Sequence, residues 1–188
     1  MNILEAIRTR RTIYRFRPER VSAEVVQRMI EAGTWAPNHR LTQPWRYTIV
    51  GQETQRAIAE TFASAQAAEK STKSSLTIDD VREKFLAKFM SKPNLIVISC
   101  QEVADPKQRR EDLAAAACAV QNMQLAAWSE GVGCQWGTGA PTRHSAVLEI
   151  LGITNDESVV AFLFFGYPEE LPVAPARKAM AEVVCELP

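Results

Sequence analysis

The chain carries no surplus of charge of either sign: 22 lysines and arginines balance 22 aspartates and glutamates over 188 residues. With no net field, nothing draws it onto nucleic acid or an anionic membrane surface. Long hydrophobic runs are missing too. No stretch approaches the ~18 apolar residues that mark a membrane span, and the most apolar windows, Leu95–Cys100 and Val159–Phe165, are strand-sized. Arginines interrupt the opening MNILEAIRTRRTIYRF every few positions, so it does not read as a signal peptide. Cysteine is scarce: Cys100, Cys118, Cys134 and Cys185 form no CxxC pair and sit among apolar or small residues. They read as buried thiols of a reducing compartment, the cytoplasm. With only His39 and His144 available, no Cys/His zinc spacing exists. GxxxxGK(S/T), HExxH and GxSxG are absent. A GxGxxG fingerprint starting at Gly131 would need glycine where Trp136 stands, and that stretch follows a helical pattern rather than a strand. A Rossmann domain is therefore not expected.

What is present suits one globular domain over residues 1–188, with 46% hydrophobic and 23% charged residues. Asn2 caps a short helix ending near Arg8, with Ile3, Leu4 and Ile7 on one side. Ser22 caps a second, carrying Val25, Val26, Met29 and Ile30 at helical spacing and running out near Gly33. Tyr47–Val50 reads as a strand. Helical spacing returns after Glu53, with Ile58, Phe62 and Ala63 inward. Glu69–Ser75 is polar and unpatterned, which fits a mobile connection. Thr77 and Asp80 form a helix-start pair, with Phe85 and Phe89 on one face of the helix that follows. Leu95–Cys100 is a buried strand. From about Arg110 to Glu130 runs a long helix, apolar on most sides as a central helix is, with Gly131 as its terminator. A glycine-rich loop spans Gly131–Gly139, a short helix runs from about Arg143 to Gly152, and Val159–Phe165 is a second apolar strand. Pro168, Pro172 and Pro175 prevent a regular helix in the tail until about Arg177. The irregular order of elements points to an α+β domain with a mostly antiparallel sheet.

Four segments bear on chemistry. Arg10-Arg11-Thr12 offers planar cationic forks and a hydroxyl, as a phosphomonoester requires; equally, it suits a basic helix end meeting the negative pole of the helix dipole. Trp35 to Trp45 packs two aromatics, two prolines, Asn38, His39 and Gln43 into one loop. Its side chains are either ligands or structural anchors. Gln135-Trp136-Gly137-Thr138-Gly139 lets backbone N–H groups approach a flat ligand beside an indole wall, or is simply a tight connection. Gly166-Tyr167-Pro168 leads to a tail in which Arg177 is either solvated or a second cation for a phosphate.

In this order, an RR(S/T) turn, an AP-x-x-x-x-x-QPW loop, a glycine-rich stretch after a long central helix and a GYP-terminated strand resemble the nitroreductase family of flavoproteins over nearly the whole chain. Ala36-Pro37-Asn38-His39 matches the AP(D/N)H motif of its compact branch. The resemblance implies a nitroreductase-like α+β fold in an intertwined homodimer, with FMN as cofactor and NAD(P)H as electron donor. Nitroaromatic, quinone or similarly flat acceptors would be served by ping-pong hydride transfer through flavin N5, with no catalytic side chain. It implies that Arg10, Arg11 and Thr12 hold the FMN phosphate, ribityl chain and ring edge. Trp35 and His39 would reach the same FMN from the other subunit, while Trp136, Gly137 and Thr138 line the isoalloxazine. Arg177 would be a further phosphate contact, and Asn38 and Gln43 ring or supporting contacts. The family also contains enzymes that oxidise, desaturate, dehalogenate or fragment their substrates. One departure stands out: Tyr14 occupies a position where many larger members place a lysine or arginine near the flavin pyrimidine edge.

Overall fold

The computed structural model describes residues 1–70 and 77–188. Among the described residues six α-helices and four strands follow one another as α1 (Ile3–Thr9), α2 (Ala23–Thr34), β1 (Trp45–Val50), α3 (Gln52–Lys70), α4 (Ile78–Met90), β2 (Asn94–Gln101), α5 (Pro106–Ser129), β3 (Gly133–Gly137), α6 (Ser145–Ile150) and β4 (Glu157–Gly166). The strands form one antiparallel sheet in the order β1-β2-β4-β3. Fold class is thus α+β, as expected.

Alternation along the strands sorts the core into two layers. Ile96, Ile98 and Cys100 of β2, with Leu163 and Phe165 of β4, pack under Val25, Val26 and Met29 of α2 and Ala116, Val120 and Met123 of α5. Leu95, Val97, Phe162 and Phe164 point the other way, onto Ile58 and Phe62 of α3, Phe89 of α4 and Val147 of α6. The β2–β4 register slips between Ile98 and Ser99, so that Val160 has no partner in the ladder. Such a bulge leaves a backbone group unpaired. Here the Val160 carbonyl accepts the indole N–H of Trp136 at 3.1 Å.

Local chemistry explains the element ends. Asn2 and Ser22 accept from Glu5 N and Val25 N, and Thr77 with Asp80 forms a reciprocal capping box. α5 begins one turn earlier than expected from Arg110, because Asp105 caps it and Pro106 takes the first helical position, where its missing N–H costs nothing. It ends with Gly131 at φ +76°. Gly131 N–H donates to Trp128 O and Val132 N–H to Ala127 O, a Schellman closure that satisfies the last carbonyls.

Three readings need correction. The glycine-rich stretch is not a loop throughout: Gly133–Gly137 is β3, paired along its length with β4. Its first glycine serves packing, since a Cβ there would lie 2.3 Å from Ile13 Cγ1. Cys100 and Cys134 are buried, but Cys118 and Cys185 are exposed, on the outer side of α5 and in the tail. α1 is capped by Asn2 as expected; its Ile3, Leu4 and Ile7 face solvent in the single chain, and only Ala6 is buried. In the tail the only helical turn among the described residues is a short 3-10 one at Met180–Glu182. Of the polar stretch Glu69–Ser75, the first two residues close α3 and the rest lies outside the described residues.

Candidate functional site

The segment after α1 runs alongside the sheet's β3 edge: Thr12 forms a parallel bridge with Cys134, and Ile13 N–H donates to Cys134 O at 3.0 Å. This alignment sets Arg10 against α5, its Nη1 3.4 Å from the Oε1 of the buried Gln124. Arg11 turns back, donating from Nη1 to Arg8 O and Arg10 O at 2.8 and 2.9 Å. Part of its fork therefore closes α1, as the helix-end account of this motif supposes.

Arg10 lies within electrostatic reach of both Arg11 and Arg177. Partial burial holds its guanidinium below the ordinary value, and these two like charges add to that, while Cys134 acts in the opposite sense. Burial pushes the Cys134 thiol up to about 12, so it is a neutral thiol beside the cluster at pH 7. Among the described residues no carboxylate lies within 4 Å of Arg10, Arg11 or Arg177. Cations gathered without a counter-ion repel one another, and the arrangement suits an anion that would neutralise them.

Trp136, Gly137 and Thr138 continue along the same edge. The hydrogen bond to Val160 holds the Trp136 indole in the sheet. A Cβ on Gly137 would meet Phe162 O at 3.4 Å and Phe164 Cε2 at 3.5 Å, ordinary contact distances, so packing within the chain does not by itself demand a glycine there. An edge that carries one fixed indole beside three arginines can hold a flat group that carries a phosphate.

The Trp35–Trp45 loop lies elsewhere in the single chain. Trp35 is 81% exposed and lines a cavity of about 420 Å³ with Met1, Ile3, Ala6, Asn122 and Leu125. His39 Nε2 is 4.0 Å from Glu111 Oε2. Arg40, Leu41 and Gln43 have φ of 55°, 54° and 45°, all left-handed and none a glycine. Each such residue costs about 1–3 kcal/mol and persists only where its surroundings over-determine it. Three polar contacts do so. Asn38 Oδ1 accepts from Gln43 N–H at 3.0 Å while its Nδ2 donates to Ala36 O at 3.2 Å; Thr42 donates its hydroxyl proton to Asp112 Oδ1 at 2.6 Å. Asn38 and Gln43 thus brace the loop.

One chain therefore brings together Arg10, Arg11, Thr12, Arg177 and the β3 residues, and leaves Trp35 and His39 on a separate exposed surface. Gln124 and Asp112 were missed by sequence reasoning. The signal was there: each is a polar side chain inside a helix read as apolar on most sides.

Comparison with known proteins agrees with this fold. The Nitroreductase family model matches residues 7–167. The chain is 33% identical to the "Putative NAD(P)H nitroreductase YfhC" of Bacillus subtilis over 184 residues, 97% of this chain and 93% of that protein. Among solved structures, the nitroreductase-like family protein of Bacillus cereus superposes with a TM-score of 0.85 at 27% identity, covering 100% of this chain and 96% of the other. A "putative nitroreductase in complex with fmn" from Desulfovibrio desulfuricans does so with 0.76 at 27%, covering 100% and 98%. No helix among the described residues is long and apolar enough to cross a membrane. With the motifs in order, the fold matched along its length and a family model spanning most of the chain, this protein belongs to the nitroreductase family.

Proposed function

We propose that the chain is an FMN-dependent oxidoreductase that works as a homodimer, taking electrons from NAD(P)H and delivering them to nitroaromatic, quinone or similarly flat acceptors in a ping-pong cycle. The observation that carries this reading is the carboxylate-free cluster of Arg10, Arg11 and Arg177 beside the Thr12 hydroxyl. A relative named for NAD(P)H and a structural neighbour holding FMN support the choice of donor and cofactor.

The residues fit the cofactor. A phosphomonoester of nearly two negative charges meets guanidinium forks and a hydroxyl at one end of the site. Trp136, held by Val160, offers a fixed apolar wall, and the backbone N–H groups of Gly137 and Thr138 would face the ring. When bound, FMN supplies hydride transfer at its N5 atom. The protein binds, orients and shields, and needs no nucleophile of its own.

Trp35 and His39 would complete the site from the second subunit. An indole 81% exposed, beside uncovered Ile3, Leu4 and Ile7, is an apolar patch of the kind that marks an interface. Leu113, on the outer side of α5, and Leu171, Val173 and Leu187 in the tail extend the uncovered apolar surface.

An absorbance spectrum of the purified protein, before and after anaerobic NADH or NADPH, tests the reading. The expected result is a flavin spectrum bleached by a nicotinamide donor and restored by an aromatic acceptor. Colourless protein that fails to take up added FMN would overturn it. Oxygen consumption without nicotinamide oxidation would move the chain to the oxidase side of the family.

A further inference from the structure

Asp112 is a carboxylate with only 2% of its surface exposed, on the face of α5 that turns inward. Among the described residues no cation pairs with it. A buried, unpaired charge is costly unless it is hydrogen-bonded. Its side-chain donor is the Thr42 hydroxyl at 2.6 Å, a short, charge-assisted bond reaching across 70 residues of sequence. Thr42 stands between Leu41 and Gln43, two of the three left-handed residues of the loop. The other brace, Asn38 to Gln43, is internal to the loop and ties it to nothing outside. The loop meets the central helix α5 through two side-chain contacts, the Thr42–Asp112 bond and the longer His39–Glu111 approach at 4.0 Å, and the first is the short hydrogen bond that fastens the strained segment.

We infer that Asp112 is a positioning residue for the cofactor site: through Thr42 it holds Arg40, Leu41 and Gln43 in their left-handed conformations and so sets where Trp35 and His39 stand. This rests on the reading that those two side chains reach the neighbouring subunit's FMN. A charged acceptor suits the task better than a neutral one, because the bond must offset backbone strain at adjacent residues. Without it the loop can relax toward ordinary φ values, which swings His39 with it.

The test uses the full-length homodimer with Thr42→Val, close to isosteric, Thr42→Ser, which keeps the hydroxyl, and Asp112→Asn, which keeps the shape and removes the charge. Amide hydrogen exchange over residues 36–45 reads the loop directly. Fluorescence titration of the apoprotein with FMN reads the site. The expected result is exchange at least ~10-fold faster in this segment alone for Thr42→Val, with FMN affinity lowered on the order of tenfold. Thr42→Ser should restore both, and Asp112→Asn should move both in the same direction by less. Unchanged exchange in Thr42→Val or in Asp112→Asn would overturn the inference whatever the flavin does. Faster exchange with unchanged FMN affinity would overturn the positioning role. Trp35→Ala then separates the two ideas: if it weakens FMN binding, the shared site stands and only the role of Asp112 falls.

Discussion

Lys92 lies inside the protein at 6% exposure, its ammonium 5.3 Å from the ring centre of Phe164 and 5.6 Å from that of Phe16. Burial, aided by Lys88, lowers its pKa to about 8. Between about pH 8 and the ordinary lysine value the unfolded chain holds more protons than the native one at this position, so Lys92 makes stability rise with pH across that window. Cys100, raised by burial to about 11, and the upward-shifted Tyr47 act oppositely at the alkaline end, because the unfolded chain loses those protons first. The difference between wild type and Lys92→Met isolates the lysine. The variant should lose the rise that Lys92 contributes in urea midpoints between pH 8 and 10; an identical pH profile would show that the ammonium is solvated in the native state. Tyr47 makes a second residue-scale case. Its hydroxyl is buried without a partner, wedged where a Cβ on Gly33 would lie 2.7 Å away. Tyr47→Phe removes an unsatisfied donor and should stabilise the fold by about 1 kcal/mol in urea denaturation. At the site, Arg10→Ala should raise the FMN Kd roughly tenfold to a hundredfold in flavin titrations, the worth of one charge-assisted phosphate contact.

At the scale of elements, β3 joins the proposed phosphate end of the site to its proposed ring end, and Gly133 governs that joint. A Cβ there meets Ile13 Cγ1 at 2.3 Å and Cβ at 3.0 Å, so Gly133→Ala must push the Thr12–Ile13 segment off the strand. The expected loss is ~1–3 kcal/mol of stability, with weakened FMN binding as Thr12 and Arg10 shift. Trimming the obstacle in Gly133→Ala/Ile13→Val should recover part of both in paired denaturation and titration experiments. The same strand shows where sequence reading fell short. Glycines at 131, 133, 137 and 139 look like loop chemistry, yet only Gly131 uses a left-handed φ. Gly133 is there for contact with a residue 120 positions away, which no local pattern reveals. α1, α2 and α4 were legible from their caps and helical spacing, and β2 and β4 from short apolar runs, all signals contained within a dozen residues. For the site, ordered motifs indicated the participants, but the Arg10–Arg177 proximity and the Thr42–Asp112 tie are products of the tertiary fold.

For the whole molecule, the arrangement of apolar surface is the issue. α5 buries Ala116, Val120, Met123 and Ala127 against the sheet, while Leu113 is 49% exposed and Cys118 is exposed on its outer side. α1 presents Ile3, Leu4 and Ile7 at 62%, 59% and 53% exposure, and Trp35 stands nearby in the cavity that Ile3 also lines. A single chain gains nothing from apolar surface in water, so these side chains make sense as a face closed by a second copy. The same closure would carry Trp35 and His39 of one chain to the arginines of the other. Ile3→Glu and Leu113→Glu should then leave the far-ultraviolet circular dichroism of the chain intact, because neither side chain is buried within it. Each places a charge where the neighbouring subunit would have to desolvate it, at roughly 2–7 kcal/mol or more per copy. Sedimentation should show a monomer at micromolar concentration, and FMN affinity should fall together with the dimer, since half of the proposed site leaves with the partner. A variant that sediments as a monomer yet binds FMN as tightly as the parent would place the whole site within one chain and leave the exposed indole of Trp35 to some other role.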